Sequence, residues 1–318
     1  MDRNQNSRII TRRDLWYLVR LPLLFVSAWV LPERYWQSVT TSIAWIASRL
    51  NSKAYRHRAE LFARVFGIDA DDPQAKQAAI RASLVSSEAI MQCFREYRLG
   101  GWHPKILVSG RQHLDDALSQ GNGAIVWVQS MPFSHLVTKK ALAGIGLPLH
   151  HLTRPAHGFS NSRFGVRVLN RLWTRIEDRF LSERIIIQGK STIGAMRTLR
   201  SRLRENRIVS ITVGDEAVRT VEVPFFNAKM RRATGPLSLS LRHGAPLIPV
   251  FTIRSDDNGF EVIIGPPLST GYSATGAGPT AEDDNSVAAN EYAARLEHLY
   301  REYSDQREVL GCVFLEQS

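Results

Sequence analysis

The chain has 318 residues, of which 44% are hydrophobic and 22% charged, a balance that excludes a disordered or fibrous protein and indicates a globular one with a substantial core. Lysine and arginine outnumber aspartate and glutamate by 41 to 30, and the net charge of +11 predicts an anionic partner such as membrane lipid, nucleic acid or a phosphorylated cofactor. The two cysteines, Cys93 and Cys312, lie far apart and show no metal-ligand spacing. We therefore expect two reduced core thiols rather than a disulfide framework or a zinc site.

The N-terminus is polar and basic over residues 1–14, and an apolar run over 15–31 follows, which Arg20 and Pro22 interrupt. The run is nearly long enough to span a bilayer, but the internal arginine weakens that interpretation. It also resembles a signal peptide with a Val-Ser-Ala cleavage site, although its uninterrupted apolar part is too short. A helix lying in the membrane interface fits best, and a buried amphipathic helix of a soluble protein is the alternative. We predict that 1–36 form a basic tail and a membrane-associating helix, whose arginines favour anionic lipid on the cytoplasmic side.

The remainder of the chain, 37–318, is predicted to form a single α/β domain. Apolar residues recur at helical spacing over 37–100, where Pro73 suits the first turn of a helix. Strands are predicted after that at 105–110, 124–128, 147–152, 185–187, 208–213, 221–226, 246–253 and 259–264, and helices at 112–120, 136–144, 191–205, 234–242 and 291–303. The Gly-, Ser- and Thr-rich segment 269–286 is predicted to be a mobile loop. The alternation predicts an α/β fold with a central mixed, largely parallel sheet flanked by helices.

The stretch 123–135 combines a buried strand, a tight turn and the first turn of a helix. In α/β proteins ligands bind at the carboxyl ends of strands, where helix N-termini offer free N–H groups. Here the sequence places a hydroxyl, Ser130, and an imidazole, His135, five positions apart. We therefore predict that the chemistry of the protein takes place at this turn.

Seven short motifs along the chain follow one another in an order shared with a known group of enzymes. They lie at 108–114, 121–125, 153–155, 213–216, 223–226, 231–235 and 244–250, and include Thr-Arg-Pro, Val-Gly-Asp-Glu and Val-Pro-Phe-Phe. In order and spacing they resemble the lysophospholipid acyltransferase superfamily, closest to the late acyltransferases of bacterial lipid A biosynthesis. The resemblance covers roughly residues 15–265 and implies a glycerolipid acyltransferase-like fold.

This resemblance implies an acyltransferase that moves a fatty acyl chain from acyl carrier protein (acyl-ACP) or coenzyme A (acyl-CoA), as co-substrate, to a hydroxyl of a lipid or glycolipid. It implies the cytoplasmic face of the bacterial inner membrane as the location and anionic membrane lipid as a partner. No bound cofactor and no metal are expected, because no Gly-rich phosphate loop or metal-ligand spacing is present. Nucleic-acid binding through the arginines and aromatic residues of 159–175 is a remote alternative that we do not expect.

The turn itself departs from the family pattern, in which a histidine is followed after four residues by Asp or Glu. Alignment through the preceding strand places Ser130 at the position of the histidine and His135 at that of the acid. In one interpretation His135 is the general base and a carboxylate orients it; the candidates are Asp215, Glu216 and Glu177. In a second, the turn is inactive and the protein binds acyl lipid or a partner. In a third, Ser130 is a nucleophile activated by His135.

The resemblance also implies substrate-binding residues, with Asp215 as a further catalytic candidate. The substrate-binding residues that it implies are Arg154, Glu216, Arg231, Arg232 and Thr234. By resemblance Arg154 would hold a phosphate of the acceptor or donor, and Arg231 and Arg232 would meet anionic headgroups or the phosphate of the carrier. Surface ion pairs or solvated turns are the alternative interpretation of these charged side chains.

Overall fold

The computed structural model describes residues 9–187, 192–212, 219–255, 259–270 and 281–303, with side chains in the last segment from 286 onward. The helices are α1 (Arg12–Val30), α2 (Trp36–Leu50), α3 (Ser52–Phe66), α4 (Pro73–Arg95), α5 (Arg111–Ser119), α6 (Ser134–Gly144), α7 (Asn170–Asp178), α8 (Ile193–Arg204), α9 (Gly235–His243) and α10 (Ala281–Glu302). The strands are β1 (Ile106–Ser109), β2 (Ala124–Val128), β3 (Leu149–Thr153), β4 (Leu181–Ile186), β5 (Ile208–Thr212), β6 (Thr220–Phe225), β7 (Ala228–Ala233), β8 (Leu247–Arg254) and β9 (Phe260–Ile264). A π-helix at Gly165–Leu169 leads into α7.

The main sheet of the described residues contains seven strands in the order β1-β9-β8-β2-β5-β3-β4. Every neighbouring pair is parallel except β8 with β9. All five residues of the central strand β2 are buried, which is why its sequence is a continuous apolar run rather than an alternating one. The predicted α/β fold, with a mixed, largely parallel sheet flanked by helices, is confirmed.

Three adjacent parallel strands determine where the candidate site lies. Strand β5 runs between β2 and β3, so that Ile211 pairs with Trp127 on one side and with Leu152 on the other. Parallel strands end at the same edge of a sheet. The carboxyl ends of these three strands therefore lie side by side, as expected for a site at this edge of the sheet.

Two strands differ from the prediction. Strand β4 begins at Leu181, before the predicted 185–187, because it is an edge strand whose polar residues conceal its apolar alternation. Strand β7 pairs antiparallel with β6 in a separate two-stranded sheet. Its sequence does not look like a strand, because Lys229 and Arg231 alternate with the buried positions and face solvent.

The last helix begins earlier than predicted. Helix α10 covers Ala281–Glu302, so 281–286 are helical rather than part of the predicted mobile loop, while 271–280 lie outside the described residues. The Ala288 and Tyr292 side chains are fully buried in the core. Such packing stabilises helical turns that composition alone does not predict.

Helix α1 has one face in the core and one in solvent. Leu21, Leu24 and Ala28 are buried, and the helix packs along α4. Arg20, which interrupts the apolar run, is directed toward α4, where its guanidinium donates a hydrogen bond to the Ser87 hydroxyl at 2.5 Å. The arginine thus has a polar partner within the protein and leaves the outer face of α1 apolar.

The exposed side of α1, named here the α1 apolar face, carries eight large apolar side chains. They are Leu15, Trp16, Leu18, Val19, Leu23, Val26, Trp29 and Val30. In the part of the chain that the structure describes, no helix has the length and apolar character needed to cross a membrane. On the neighbouring α4, Cys93 is a buried free thiol, as predicted, whereas Cys312 lies outside the described residues.

Candidate active site

The turn after β2 is held by one buried hydroxyl. Ser134, the first residue of α6, donates a hydrogen bond to the Gln129 carbonyl at 2.7 Å and accepts one from the Met131 amide at 3.0 Å. These local side-chain bonds close the turn and determine where α6 begins. Ser130 and His135, on either side of the turn, line a common cavity.

This cavity, named here the histidine pocket, has a volume of about 260 Å³. Its lining comes from five segments: Arg13 and Tyr17 of α1; Ser86, Ala89 and Ile90 of α4; Ser130, Met131, Pro132 and His135 of the turn and α6; His157, Gly158 and Phe159 of the loop after β3; and Trp173 of α7. Apolar walls with a few convergent polar groups are typical of ligand-binding sites. The polar groups here include a hydroxyl and two imidazoles.

The loop after β3 places His157 in the histidine pocket. The His157 amide donates a hydrogen bond to the Arg154 carbonyl at 3.0 Å. The buried Asn170 side chain accepts bonds from the two amides that follow Gly158, at 2.7 and 3.0 Å. Gly158 has a φ of +131°, and a Cβ there would lie 2.8 Å from the Asn170 side chain. Glycine therefore permits this close approach, and the loop holds His157 in a defined position.

A buried carboxylate lies directly behind His157. The Glu177 side chain, at the end of α7, is only 1% exposed, and its two oxygens lie 3.0 and 3.1 Å from His157 Nε2. Oε1 also accepts from Lys139 Nζ at 2.6 Å and from Trp173 Nε1 at 2.9 Å. Oε2 accepts from the Arg184 guanidinium at 2.8 Å. Both oxygens are thus hydrogen-bonded, as a buried carboxylate requires.

The surroundings of Glu177 and His135 keep the carboxylate charged and the imidazole neutral. Burial raises the pKa of Glu177, but His157, Lys139 and Arg184 outweigh it and hold that pKa well below its ordinary value, so the carboxylate stays ionised. Burial, with smaller contributions from His157 and Lys139, lowers the pKa of His135 to about 3. His135 is therefore neutral at physiological pH, with its ring centroid 5.3 Å from that of His157.

The structure brings together some of the predicted catalytic residues. Ser130 and His135 both line the histidine pocket. Glu177, one of the carboxylates considered as a partner of His135, is hydrogen-bonded to His157 instead. Asp215 and Glu216 follow β5 in sequence but lie outside the described residues.

The predicted substrate-binding residues that the structure describes are not part of the pocket lining. Arg154 is exposed directly after β3. Arg231 is exposed on β7 and pairs with Glu222 at 3.0 Å. Arg232 is buried, and its guanidinium donates to the Arg231 carbonyl at 2.8 Å. Thr234 precedes α9, and its hydroxyl donates to a backbone carbonyl at 3.3 Å. Their roles in substrate binding stay predictions.

A metal ion is not the best occupant of the cluster around Glu177. His135, His157 and Glu177 each offer one potential ligand atom, and these atoms lie within 4.8 Å of one another. However, Lys139 and Arg184 already donate to the two Glu177 oxygens. A bound cation would displace them and leave two buried positive charges beside it, at a large electrostatic cost. The contacts favour a hydrogen-bonded imidazole–carboxylate pair.

Acid is expected to destabilise the fold through His135. Because the folded-state pKa of about 3 lies below the ordinary value of 6.5, the unfolded chain binds more protons below pH 6.5. The stability contributed by neutral His135 is present above pH 6.5 and is lost as the pH falls toward 3. The free energy of unfolding, measured with urea, should lose roughly 2–3 kcal/mol from this residue over the first two pH units or so below that value.

The matched comparison for this prediction is His135→Gln against His57→Gln, since His57 is exposed on α3. His135→Gln should show a shallower decline with falling pH than the unmodified protein, and His57→Gln the same decline. Identical slopes in all three proteins would contradict the assigned environment of His135.

His157 and Lys139 did not stand out in the sequence. The sequence indicates only their positions: His157 follows a predicted strand, and Lys139 lies one helical turn after His135. The pairing with Glu177, twenty residues after His157, depends on the π-helix and α7 returning the chain to the sheet edge. The spacing of apolar residues in the sequence does not show that the chain turns back to the sheet in this way.

The chain also matches the model of a known protein family. The family model of the bacterial lipid A biosynthesis acyltransferases matches residues 3–298, nearly the whole chain. No curated protein matches the chain significantly. The matched range includes α1, the main sheet and every residue that lines the histidine pocket.

Proposed function

The chain belongs to the bacterial lipid A biosynthesis acyltransferase family and is therefore an acyltransferase, and we propose that the histidine pocket is where it moves a fatty acyl chain from an acyl-ACP or acyl-CoA thioester to a hydroxyl of a lipid or glycolipid. The observation that carries this proposal is the convergence of two imidazoles and a hydroxyl in one cavity at the carboxyl ends of the central strands. We further propose the cytoplasmic face of the bacterial inner membrane as the location.

The chemistry of the pocket suits acyl transfer. Attack of a hydroxyl on a thioester requires a base at the acceptor oxygen and hydrogen-bond donors at the oxyanion that develops. Imidazole is the side chain best suited to be the base near neutral pH. The pocket offers His135 and His157 for these tasks, with Ser130 beside them. Apolar side chains such as Ile90, Met131 and Phe159 complete the lining and could contact an acyl chain.

The position of α1 supports a lipid acceptor. Arg13 and Tyr17 on this helix line the pocket, while the α1 apolar face lies on the solvent side of the same helix. An exposed apolar surface of this extent, with Arg12 and Arg13 at its start, is typical of a helix that lies in the interface of an anionic membrane. A lipid acceptor would then reach the pocket directly from the bilayer surface.

A row of exposed arginines on the outer face of the π-helix and α7 supports an anionic acyl donor. Five exposed arginines recur every fourth residue along the π-helix and α7, at positions 163, 167, 171, 175 and 179. The same helix contributes Trp173 to the pocket lining. Guanidinium groups bind phosphates and carboxylates well, so the row fits the phosphates of coenzyme A or an acidic carrier protein. Steering by such a surface raises association rates.

Filling the histidine pocket is expected to abolish transfer. Ser86 of α4 lines the pocket, and Ser86→Trp would place an indole in a cavity of about 260 Å³. Purified protein with labelled acyl-ACP or acyl-CoA and a panel of lipid acceptors should yield labelled ester. Ser86→Trp should lower the rate by at least ~100-fold, because the reacting groups are displaced from their productive positions. Ser201→Trp is the control, since Ser201 is exposed on α8, which contributes nothing to the pocket lining.

The same assay distinguishes direct acyl transfer from lipid binding without catalysis and from transfer through an acyl-serine. If no pair of donor and acceptor turns over while the protein still binds lipid vesicles, the chain is a non-catalytic relative that binds lipid. If donor alone adds the mass of one acyl chain to the protein, and Ser130→Ala prevents this, transfer proceeds through an acyl-serine. Equal rates in Ser86→Trp and Ser201→Trp would place the chemistry outside the histidine pocket.

A further inference from the structure

The two histidines of the pocket differ in one decisive contact. His157 has a buried carboxylate partner, whereas the His135 ring makes no hydrogen bond to any residue that the structure describes. We infer that His157 is the general base of the acyl transfer, with Glu177 as its positioning residue. This inference rests on the proposed function, because it names the base at that same site.

The hydrogen bond to Glu177 determines the tautomer of His157. The ionised carboxylate only accepts hydrogen bonds, so His157 Nε2 must carry the proton that it donates to Glu177. In the neutral ring, Nδ1 is then the unprotonated nitrogen that is free to take a proton. The Glu177 charge also lies next to the imidazolium that forms when it does so. His157 is 20% exposed and lines the pocket, so a substrate hydroxyl has access to this ring.

The carboxylate is well supported as a positioning group. Lys139 from α6, Arg184 from β4 and Trp173 within α7 all donate to it, so three different elements prevent its rotation. The ring is constrained from the other side by its own loop, where Asn170 holds the backbone. A base fixed in this way loses little freedom in the transition state.

His135 is suited to a different task. Its pKa of about 3 makes it a poor base near neutral pH. A neutral imidazole still has one N–H group, and this one projects from the first turn of α6 into the pocket lining. His135 therefore fits as a hydrogen-bond donor to the developing oxyanion, next to the base rather than in place of it.

The proposed transfer passes through one tetrahedral intermediate. The acceptor hydroxyl gives its proton to His157 Nδ1 as its oxygen forms a bond to the thioester carbonyl carbon. The carbonyl electron pair moves to the oxygen, and the oxyanion is stabilised by hydrogen bonding. Collapse of this tetrahedral intermediate breaks the carbon–sulfur bond, and the leaving thiolate takes the proton back from the imidazolium. The products are the ester and the free thiol of the donor.

Matched glutamine variants test the assignment, because glutamine donates hydrogen bonds but is not a base. His157→Gln is expected to lower kcat by about 10²- to 10⁴-fold with KM changed only a few-fold. His135→Gln, which keeps a donor, should stay within about 10-fold of the unmodified enzyme. In His157→Ala, added imidazole should restore part of the lost rate in a saturable manner. Robust turnover by His157→Gln with loss in His135→Gln would overturn the inference.

A double-variant cycle separates positioning by Glu177 from general structural support. If Glu177 acts through His157, Glu177→Gln lowers kcat in the unmodified enzyme but has little further effect in His157→Ala. If the fold losses in kcat of the two single variants multiply in the double variant, the positioning role is contradicted. Recovery of the rate of His157→Ala by added imidazole tests whether His157 is the base. This test does not need Glu177→Gln, which would fail to purify if it were too unstable. An unmodified protein without turnover would refute the proposed function, whereas full activity in His157→Gln would refute only the base assignment.

Discussion

Replacing Glu177 with alanine is expected to lower the free energy of unfolding by about 3–5 kcal/mol, because removal of one partner leaves an uncompensated buried charge. The Lys139 side chain is only 4% exposed and donates to Glu177 at 2.6 Å. Arg184 and His157 lose the same acceptor. Domains are typically stable by only about 5–15 kcal/mol, so urea unfolding should show a much lower midpoint for Glu177→Ala.

Two comparisons show whether this loss comes from the buried cluster. Glu205→Ala removes an exposed pair with Arg202, at 2.9 Å, and should cost less than ~1 kcal/mol. Removing both charges in Glu177→Leu with Lys139→Leu should be less destabilising than Glu177→Leu alone, because no lysine is then left buried without an acceptor. A loss in Glu177→Ala no larger than that in Glu205→Ala would contradict the described packing.

Charging the α1 apolar face is expected to abolish membrane binding. Val19 and Val26 are 70% and 57% exposed, so Val19→Asp with Val26→Asp should not disturb the core. Losing two apolar contacts with the bilayer should cost about 2–4 kcal/mol, and repulsion from anionic lipid adds to this. Partitioning into vesicles with anionic phospholipid, measured by co-sedimentation, should therefore fall by roughly 30- to 1,000-fold.

The control for this prediction uses exposed apolar residues elsewhere. Ile193 on α8 and Val287 on α10 are 69% and 51% exposed, and changing both to aspartate alters the net charge equally. That variant should lose only the smaller electrostatic part of the affinity. Equal losses in the two double variants would show that charge alone governs binding. Unchanged binding after the α1 substitutions would show that this helix does not contact the membrane.

Elements with a clear local signal, such as a continuous apolar run or a proline at a helix start, could be predicted closely from the sequence. Strand β2 has its predicted bounds because it is buried on both faces. Helix α4 begins at Pro73, which lacks an N–H group that the first turn would leave unbonded anyway. Strands β4 and β7 were predicted short or not at all, since their outward residues are charged and hydrogen bonding, rather than composition, defines them.

The site could be predicted only in part. The turn that carries Ser130 and His135 was evident, because a hydroxyl and an imidazole follow a buried strand. Glu177 was one of three carboxylates considered as a partner of His135, but its pairing with His157 was not predicted, because it depends on how the chain folds between them. In our proposal Glu177 takes the place of the carboxylate that the family pattern has on the turn, and the fold brings it to His157. Only the three-dimensional path of 154–178 brings this pair to the pocket.

The most direct test of the central claim is to identify the acylated product without assuming the acceptor. Purified protein would be incubated with an acyl-ACP or acyl-CoA carrying an isotopically labelled chain and with a bacterial membrane lipid extract, followed by mass spectrometry of the lipids. We expect one lipid or glycolipid class to gain one labelled acyl chain as an ester, and Ser86→Trp and His157→Gln to reduce this gain greatly. Label that stays on the donor, or is released only as free fatty acid, would contradict the central claim.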